Sequence, residues 1–416
     1  MDAAQRPAGA PAAAPDDGCE ALATAVTRQF GWCRPYREAC RSKGFVLGDL
    51  YDLIDAGDYA ALPSLPSGLF KRTGGRYREM AHPWRYGRWL VSSSTSGNPS
   101  FRLATPQDRG CIRQAFLAAY EKIPDHDVLF FMTPDPGSLE SFSRGIRVDG
   151  RQATMYAIEP IHAGLDRCAN VFYLYRPDRD RSCQPALLPG FRQDDARFLR
   201  VLDEAEASGA VVVLAYSALF LRSALEACGD RTYDFGDRII VATGGGGWSG
   251  RKAVSQAEPI DKPRFVADLV RVLGIRNPGR QILDIYSSVE TGTAHSGYYN
   301  TALGDYVFDV NPGARLYAIA PETGEPAGNG ETGIPRTISP FGAEGAAAAV
   351  VDQEDDSIRV LASNRDGSVR QFSGISRVPG AGIPGLSVWM EEDWDGCPLD
   401  LLEMVGRHAV SYLDFA

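Results

Sequence analysis

The sequence predicts an α/β protein: a large N-terminal domain of mixed or parallel sheets covered by helices, plus a small α+β C-terminal domain. Three observations carry this expectation. Strand and helix patterns alternate over residues 198–286, the texture turns to strands and tight turns beyond about Asn300, and 416 residues exceed the usual size of one domain.

The Ala/Pro-rich residues 1–18 contain Asp16-Asp17 and no apolar h-region, so a disordered tail is expected there and not a signal peptide. The large domain is placed over 19–350. Cys19 to Phe30 and Pro35 to Lys43 read as short helices, followed by a loop with Leu62-Pro63-Ser64-Leu65-Pro66 and then Phe70-Lys71-Arg72. Cys111 to Lys122 has helical periodicity through Ile112, Phe116, Ala119 and Tyr120. Val128 to Met132 and Val171 to Tyr175 read as buried strands. A helix with Phe198, Val201, Leu202 and Ala205 on one face ends near Gly209. The strand Val211 to Leu214, the helix Ala218 to Ala227, the strand Ile239 to Val241, the helix Pro263 to Leu273 and the strand Ile282 to Tyr286 then alternate. Such alternation builds a parallel sheet covered on both faces. Tyr306 to Ile319 and Ile358 to Phe372 read as strands of a more antiparallel region, with turns at Gly324, Asn329-Gly330 and Asp366-Gly367. The small-residue stretch Ala343 to Ala349 reads as a hinge or linker, which sets the boundary near 350 and the small domain over 351–416.

Charge and cysteine usage narrow the function. A net charge of −10 argues against nucleic acid as a partner, because phosphate backbones demand basic surface. An anionic small molecule must instead be met by locally placed donors. The eight cysteines contain no CxxC pair, and the five histidines do not fall beside them at zinc-finger spacing. Reduced thiols in a cytoplasmic protein are expected. No run approaches ~18 apolar residues, so no membrane partner is expected.

Three segments carry chemistry. In Val91-Ser92-Ser93-Ser94-Thr95-Ser96-Gly97-Asn98-Pro99-Ser100, consecutive hydroxyls precede a glycine after the apolar Trp89-Leu90-Val91 run. Hydroxyls and freed backbone N–H groups can nest polyphosphate oxygens, and Gly97 permits close approach; a plain polar surface loop is the competing reading. Thr243-Gly244-Gly245-Gly246-Gly247-Trp248-Ser249-Gly250-Arg251-Lys252 follows a strand. Gly245, Gly247 and Gly250 satisfy GxGxxG, yet Gln256, Pro259 and Pro263 follow where a dinucleotide fold needs an apolar helix. A Walker loop also fails, since Arg251 separates Gly250 from Lys252. A bare surface on which a purine lies fits better than either, with a tight turn as the competing reading. In Asp284-Ile285-Tyr286-Ser287-Ser288-Val289-Glu290-Thr291-Gly292 a strand leads to a carboxylate just beyond its C-terminal end, where ligands of open α/β sheets gather. Glu290 suits Mg²⁺, which takes one or two carboxylates plus substrate phosphates, and Tyr286 suits stacking on adenine. A solvated Glu after a core strand is the alternative.

In their order and separations these segments resemble those of adenylate-forming enzymes, and within them the luminescence acyl-protein synthetase (LuxE-type) family. The family's SSGTTGxPS-like loop, TGGGW segment and YGxTE-like segment are similar to the three stretches just quoted. Its LPxLPxxLFK stretch resembles Leu62 to Lys71, and its GETG turn resembles Gly330-Glu331-Thr332-Gly333. The resemblance covers roughly residues 20–390. It implies an adenylate-forming-type N-terminal domain that uses ATP and Mg²⁺ to activate a small aryl or fatty carboxylic acid as acyl-AMP. Residue by residue, it implies that Ser92, Ser93, Ser94, Thr95, Ser96 and Gly97 wrap the β- and γ-phosphates. Gly244, Gly245, Gly246, Tyr286 and Ser287 would flank adenine, and Glu290 would stand on the Mg²⁺ side. An acid after the GETG turn would hold the ribose; of Asp352, Asp355 and Asp356, Asp355 is preferred.

The chain departs from the pattern in several places. Ser94 replaces the first Gly of SSGTTG, and Val289 replaces the Thr of YGxTE, leaving Ser288 or Thr291 to offer a hydroxyl. No lysine follows Lys262, so Arg377, Arg407, Lys71 or Lys252 must neutralise developing charge; Arg377 is the catalytic candidate. The family's acyl-accepting cysteine is matched by Gly385-Leu386-Ser387, and Cys397 has a different context, so transfer to a small-molecule or carrier-protein acceptor is expected. His295 is a candidate general base or pocket wall beside a structural reading, and Trp248 a candidate wall of the acyl pocket. A nucleotide-binding homologue with impaired catalysis is the alternative, motivated by Val289 and the missing lysine.

Overall fold

The computed structural model describes residues 15–71, 76–92, 99–143, 147–148, 151–165, 167–168, 170–178, 191–249, 251–252, 255–256 and 258–377. Its main sheet starts from short runs of buried apolar residues. Val171–Tyr173, Val128–Phe131, Val212–Ala215, Ile239–Gly244 and Ile282–Ser287 lie side by side in that order, each parallel to the next. Successive side chains point to opposite faces and feed two cores. Val212, Leu214, Ile239 and Val241 pack with Phe198, Leu221 and Leu269 from the helices Asp195–Ser208, Ala218–Glu226 and Lys262–Leu273. Val213, Ala215, Ile240 and Ala242 pack with Phe116 and Ile161 from the helices Pro106–Tyr120 and Ile158–Leu165. Each fully buried Val or Leu contributes about 1.5–3 kcal/mol. Gly209 and Gly274, with φ of +74° and +65°, end two of these helices in the left-handed conformation that glycine tolerates.

At Ile282–Ser287 the pairing changes sense. Ala294–Asn300, Asp305–Asp309, Val369–Arg377, Asp356–Ser363 and Thr332–Ile338 continue the sheet antiparallel. The stretch expected as strands over 306–319 holds two, Asp305–Asp309 and Arg315–Ile319. That over 358–372, with its expected turn at Asp366-Gly367, is a hairpin of Asp356–Ser363 and Val369–Arg377 turning at Gly367, φ +78°. Val350–Asp352 also pairs with Thr332–Ile338, so described residues on both sides of position 350 share one sheet. The rest of the unit expected over 351–416 lies, from 378 onward, outside the described residues. The first helix begins at Pro15, inside the tail expected over 1–18.

Ala343 to Ala349 is not a hinge. Ala346 to Ala349 are at most 1% exposed and pack beneath the N-terminal helices with Val26, Tyr36 and Leu50. Small side chains are needed because backbones approach closely: a Cβ on Gly345 would lie 2.7 Å from the Leu103 carbonyl oxygen. The Asp108 carboxylate accepts hydrogen bonds from the amides of Glu344 and Gly345, both 2.8 Å, and from the Thr105 amide at 2.8 Å. A second sheet, of Phe101–Ala104, Arg88–Val91, Arg151–Met155 and Arg147–Val148, carries Ser92 and Ser100 at its end. Among the described residues no helix is long and apolar enough to cross a membrane.

Candidate active site

A cleft of about 310 Å³ opens at the C-terminal ends of Ile239–Gly244 and Ile282–Ser287, beside the change from parallel to antiparallel pairing. Backbone groups at such a rim are unclaimed by neighbouring strands, which favours ligand binding there. Beyond Gly244, Gly245, Gly246 and Gly247 take φ of +67°, +72° and +99°, and all four glycines line the cleft. Side chains other than glycine rarely adopt those angles. The chain thus turns without putting a side chain into the opening.

Trp248 lines the same end. Its indole N–H donates to Asp284 Oδ2 at 3.2 Å, and Thr243 Oγ1 donates to Asp284 Oδ1 at 2.7 Å. Burial pushes the Asp284 carboxyl up from its ordinary pKa, while the Thr243 hydroxyl, Lys262 and the indole pull it back. The Trp248 ring packs against Phe265 and Tyr306, on the face of the sheet with the Lys262–Leu273 helix.

The charged end converges from remote parts of the chain. Lys71 forms a β-bridge with Ser100, and the Ser92 amide donates to the Ser100 carbonyl at 3.0 Å while the Ser100 amide donates to Ser92 Oγ at 2.9 Å. These contacts close the base of the hydroxyl-rich loop. Ser93, Ser94, Thr95, Ser96 and Gly97 themselves lie outside the described residues. Ser100 Oγ donates to Glu290 Oε1, and Lys71 Nζ lies 3.6 Å from the same oxygen and 2.9 Å from Asp355 Oδ2. Burial presses the Lys71 ammonium down, but the Glu290 and Asp355 carboxylates outweigh it and hold its pKa above the ordinary value. Arg377 reaches Asp356 at 3.1 Å and Asp355 at 3.6 Å, and the Tyr286 hydroxyl donates to Asp356 Oδ2 at 2.9 Å. Burial raises the Asp356 pKa against the opposing pull of Arg377 and of that hydroxyl. Behind Glu290, the buried Arg102 points a guanidinium N–H at the carbonyls of Val289 and Glu290, each 3.4 Å away.

Another part of the lining is aromatic. Phe116, Tyr120, Tyr156 and Tyr216 form it with Ala157 and Pro160. Phe116 packs on Tyr156 with ring centres 5.8 Å apart, and the Tyr120 hydroxyl donates to the Pro160 carbonyl at 3.2 Å. Tyr216 holds φ +81°, a left-handed backbone that is uncommon outside glycine and clusters at functional sites.

Ser92, Gly244, Gly245, Gly246, Trp248, Tyr286, Ser287, Glu290 and Arg377 therefore line one cleft. Asp355 pairs with Lys71 and Arg377, while its neighbour Asp356 is the carboxylate in the lining; Asp352 is engaged by Arg336 at 2.7 Å. Ser288 lines the cleft, whereas Thr291 is 3% exposed and its hydroxyl contacts those of Ser288 and Thr293. His295 does not line the cleft. It is 1% exposed, stands across the strand pair from Tyr286, accepts from the Asn311 amide at 2.9 Å through Nδ1, and is pushed down to about 4 by burial. Its ring supports Tyr286 from behind, with centres 6.2 Å apart. Arg407, Gly385 to Ser387 and Cys397 lie outside the described residues. The aromatic wall escaped sequence reading. Only the Phe116 and Tyr120 periodicity hinted at it, and that signal is shared by any buried helix face.

No family model and no curated protein matches the chain. Solved structures do match. A 2-hydroxyisobutyryl-CoA ligase in an open conformation, in complex with 2-HIB-AMP and CoA, has a TM-score of 0.54 at 11% identity, covering 87% of this chain and 72% of that one. The same ligase in its thioesterification state gives 0.55 at 11% identity, over 87% and 68%. At such identity the likeness speaks to architecture alone. The chain shares the fold of this CoA ligase.

Proposed function

We propose that this chain activates a carboxylic acid with ATP, releasing pyrophosphate and holding an acyl-AMP whose acyl group passes to a thiol, amine or hydroxyl acceptor. The observation that supports it best is convergence: the base of the hydroxyl-rich loop, the bare glycine turn, Tyr286 and Glu290 line one cleft at the rim of the sheet. In this reading Ser92 to Gly97 wrap the β- and γ-phosphates, and adenine lies along Gly244 to Gly246 between Tyr286 and Ser287. Asp356 takes the ribose hydroxyls in place of Asp355, because it is the one that lines the cleft. Arg377, held by both aspartates, faces the nucleotide. Trp248 walls the glycine end, and the acid lodges against Phe116, Tyr156 and Tyr216.

Glu290 fits Mg²⁺ by donor chemistry, since this ion takes one or two carboxylates and completes its shell with phosphate oxygens and water. When bound, the ion would neutralise phosphate charge. The chain's own residues do the rest. The acid's carboxylate oxygen attacks the α-phosphorus in line, and the bond to pyrophosphate breaks with its electron pair on the leaving oxygen. No proton moves in that step. Positioning along the cleft and donors aimed at the phosphoryl oxygens supply most of the acceleration, and the aromatic end keeps water from the anhydride.

The acceptor in this reading is a small molecule or a carrier protein, and the LuxE-type resemblance favours an aryl or fatty acid. Acid-dependent exchange of labelled pyrophosphate into ATP tests the proposal across a panel of aryl, short and fatty acids. Exchange with at least one acid is expected; nucleotide binding without exchange for any acid would instead favour the catalytically impaired homologue, for which Val289 is the motivating residue.

A further inference from the structure

We propose that Lys71 is a catalytic residue: its ammonium meets the phosphate chain of the nucleotide and stabilises the charge that develops on the α-phosphoryl group. This inference rests on the adenylation reading above.

Attack on a phosphorus already bearing anionic oxygens brings another negative group against it, so the step needs a cation close to the phosphoryl oxygens and shielded from bulk water. Lys71, Lys262 and Arg377 are cations that line the cleft. Lys262 is committed elsewhere: it pairs with Asp305, with its ammonium 5.8 Å from the Trp248 ring centre at the glycine end. Arg377 has a half-exposed side chain and pairs with Asp355 and Asp356, on the side given to the ribose. Lys71 has a side chain only 14% exposed and stands between Asp355 and Glu290, the carboxylate proposed to stand on the Mg²⁺ side. Its backbone is bridged to Ser100 at the base of the hydroxyl-rich loop, so its stem starts where that loop starts.

The Lys71 pairings are unequal. Asp355 is at 2.9 Å and Glu290 at 3.6 Å, and Ser100 already donates to the Glu290 oxygen that faces Lys71. The longer contact leaves the ammonium room to meet a phosphate oxygen while Asp355 still holds it. An ammonium carries three donors, enough for Asp355, Glu290 and one phosphoryl oxygen together.

The test uses the full chain with Lys71→Met, which keeps the stem, and Lys71→Arg, which keeps the charge. Two readings are taken: binding of inorganic pyrophosphate without added metal, by calorimetry, and acid-dependent pyrophosphate–ATP exchange. Lys71→Met is expected to weaken pyrophosphate at least tenfold and to lower the exchange kcat about 100-fold or more, with the acid KM within about threefold. Lys71→Arg should recover a large part of both. Pyrophosphate affinity unchanged in Lys71→Met, or exchange within about fivefold of wild type, would overturn the assignment. So would Lys71→Arg being as impaired as Lys71→Met while its melting curve matches wild type. If the Met variant unfolds, Lys71→Gln takes its place under the same criteria. Wild type that binds pyrophosphate but exchanges with no acid defeats the adenylation reading by itself, while the binding series still judges Lys71.

Discussion

The charged and aromatic parts of the cleft lining, here called its charged and aromatic ends, are built in contrasting ways. At the charged end Lys71, Glu290, Asp355, Asp356 and Arg377 hold one another in a chain of ion pairs, two of about 3 Å and two of 3.6 Å. At the aromatic end the Phe116 ring packs against those of Tyr120 and Tyr156, and the Tyr120 hydroxyl donates to the Pro160 carbonyl. Paired charges in a sheltered site demand particular residue types, because an unpartnered buried ion is costly. Packed rings demand only volume and shape. In the proposed reaction the charged end is the place where one substitution stops chemistry, and the aromatic end the place where one substitution changes which acid fits.

That contrast can be broken by experiment. The largest effect is expected from Glu290→Ala, which should cut acid-dependent exchange about 10²–10³-fold while the far-ultraviolet circular dichroism stays that of wild type; near-normal exchange would remove Glu290 from the reaction. Next comes pH. His295 sits behind the charged end with its pKa lowered from 6.5 to about 4 by burial, so the unfolded chain takes up its proton first. Its contribution is therefore neutral above about pH 6.5 and turns increasingly destabilising as pH falls to about 4, reaching on the order of 3 kcal/mol. Melting curves of wild type and His295→Gln should converge in relative stability with falling pH, whereas parallel curves would refute a histidine held neutral. At the aromatic end, Ala157→Leu should lower kcat/KM for the acid about 10–100-fold and leave ATP affinity unchanged. An equal loss for both substrates would show that the two ends are not separate. The smallest effect is expected from Gly247→Ala, about 1–2 kcal/mol of stability from urea unfolding, since its φ is +99° and a Cβ would meet the Leu219 Cβ at 3.3 Å.

The same contrast explains what the sequence disclosed. Glu290, Tyr286 and the glycines announced themselves because each sits in a short contiguous stretch following a strand, and local chemistry is readable at short range. The parallel strands were legible as β-branched runs between helices, with Gly209 marking a helix end. Tyr156 and Tyr216 were not, because they come from separate elements and touch the cleft only through the tertiary fold. Asp355, the residue preferred from sequence, pairs with Lys71 and Arg377, whereas its neighbour Asp356 lines the cleft; at the start of a strand one position reverses the side to which a side chain points. Ala343 to Ala349 misled for a related reason: small residues suit a flexible joint and an intimate contact equally well, and only burial tells them apart.

That contact bears on how the chain comes to be folded. Val26, Tyr36 and Leu50 share a core with Ala346 to Ala349 and Val351, about three hundred residues later in the sequence. A ribosome adding about 5–20 residues per second would expose the greasy face of the first helices for on the order of 15–60 s before its cover emerges. Nascent chains of this protein should lean on a chaperone during that interval, and truncation before residue 350 should yield an aggregating product, not a smaller working unit.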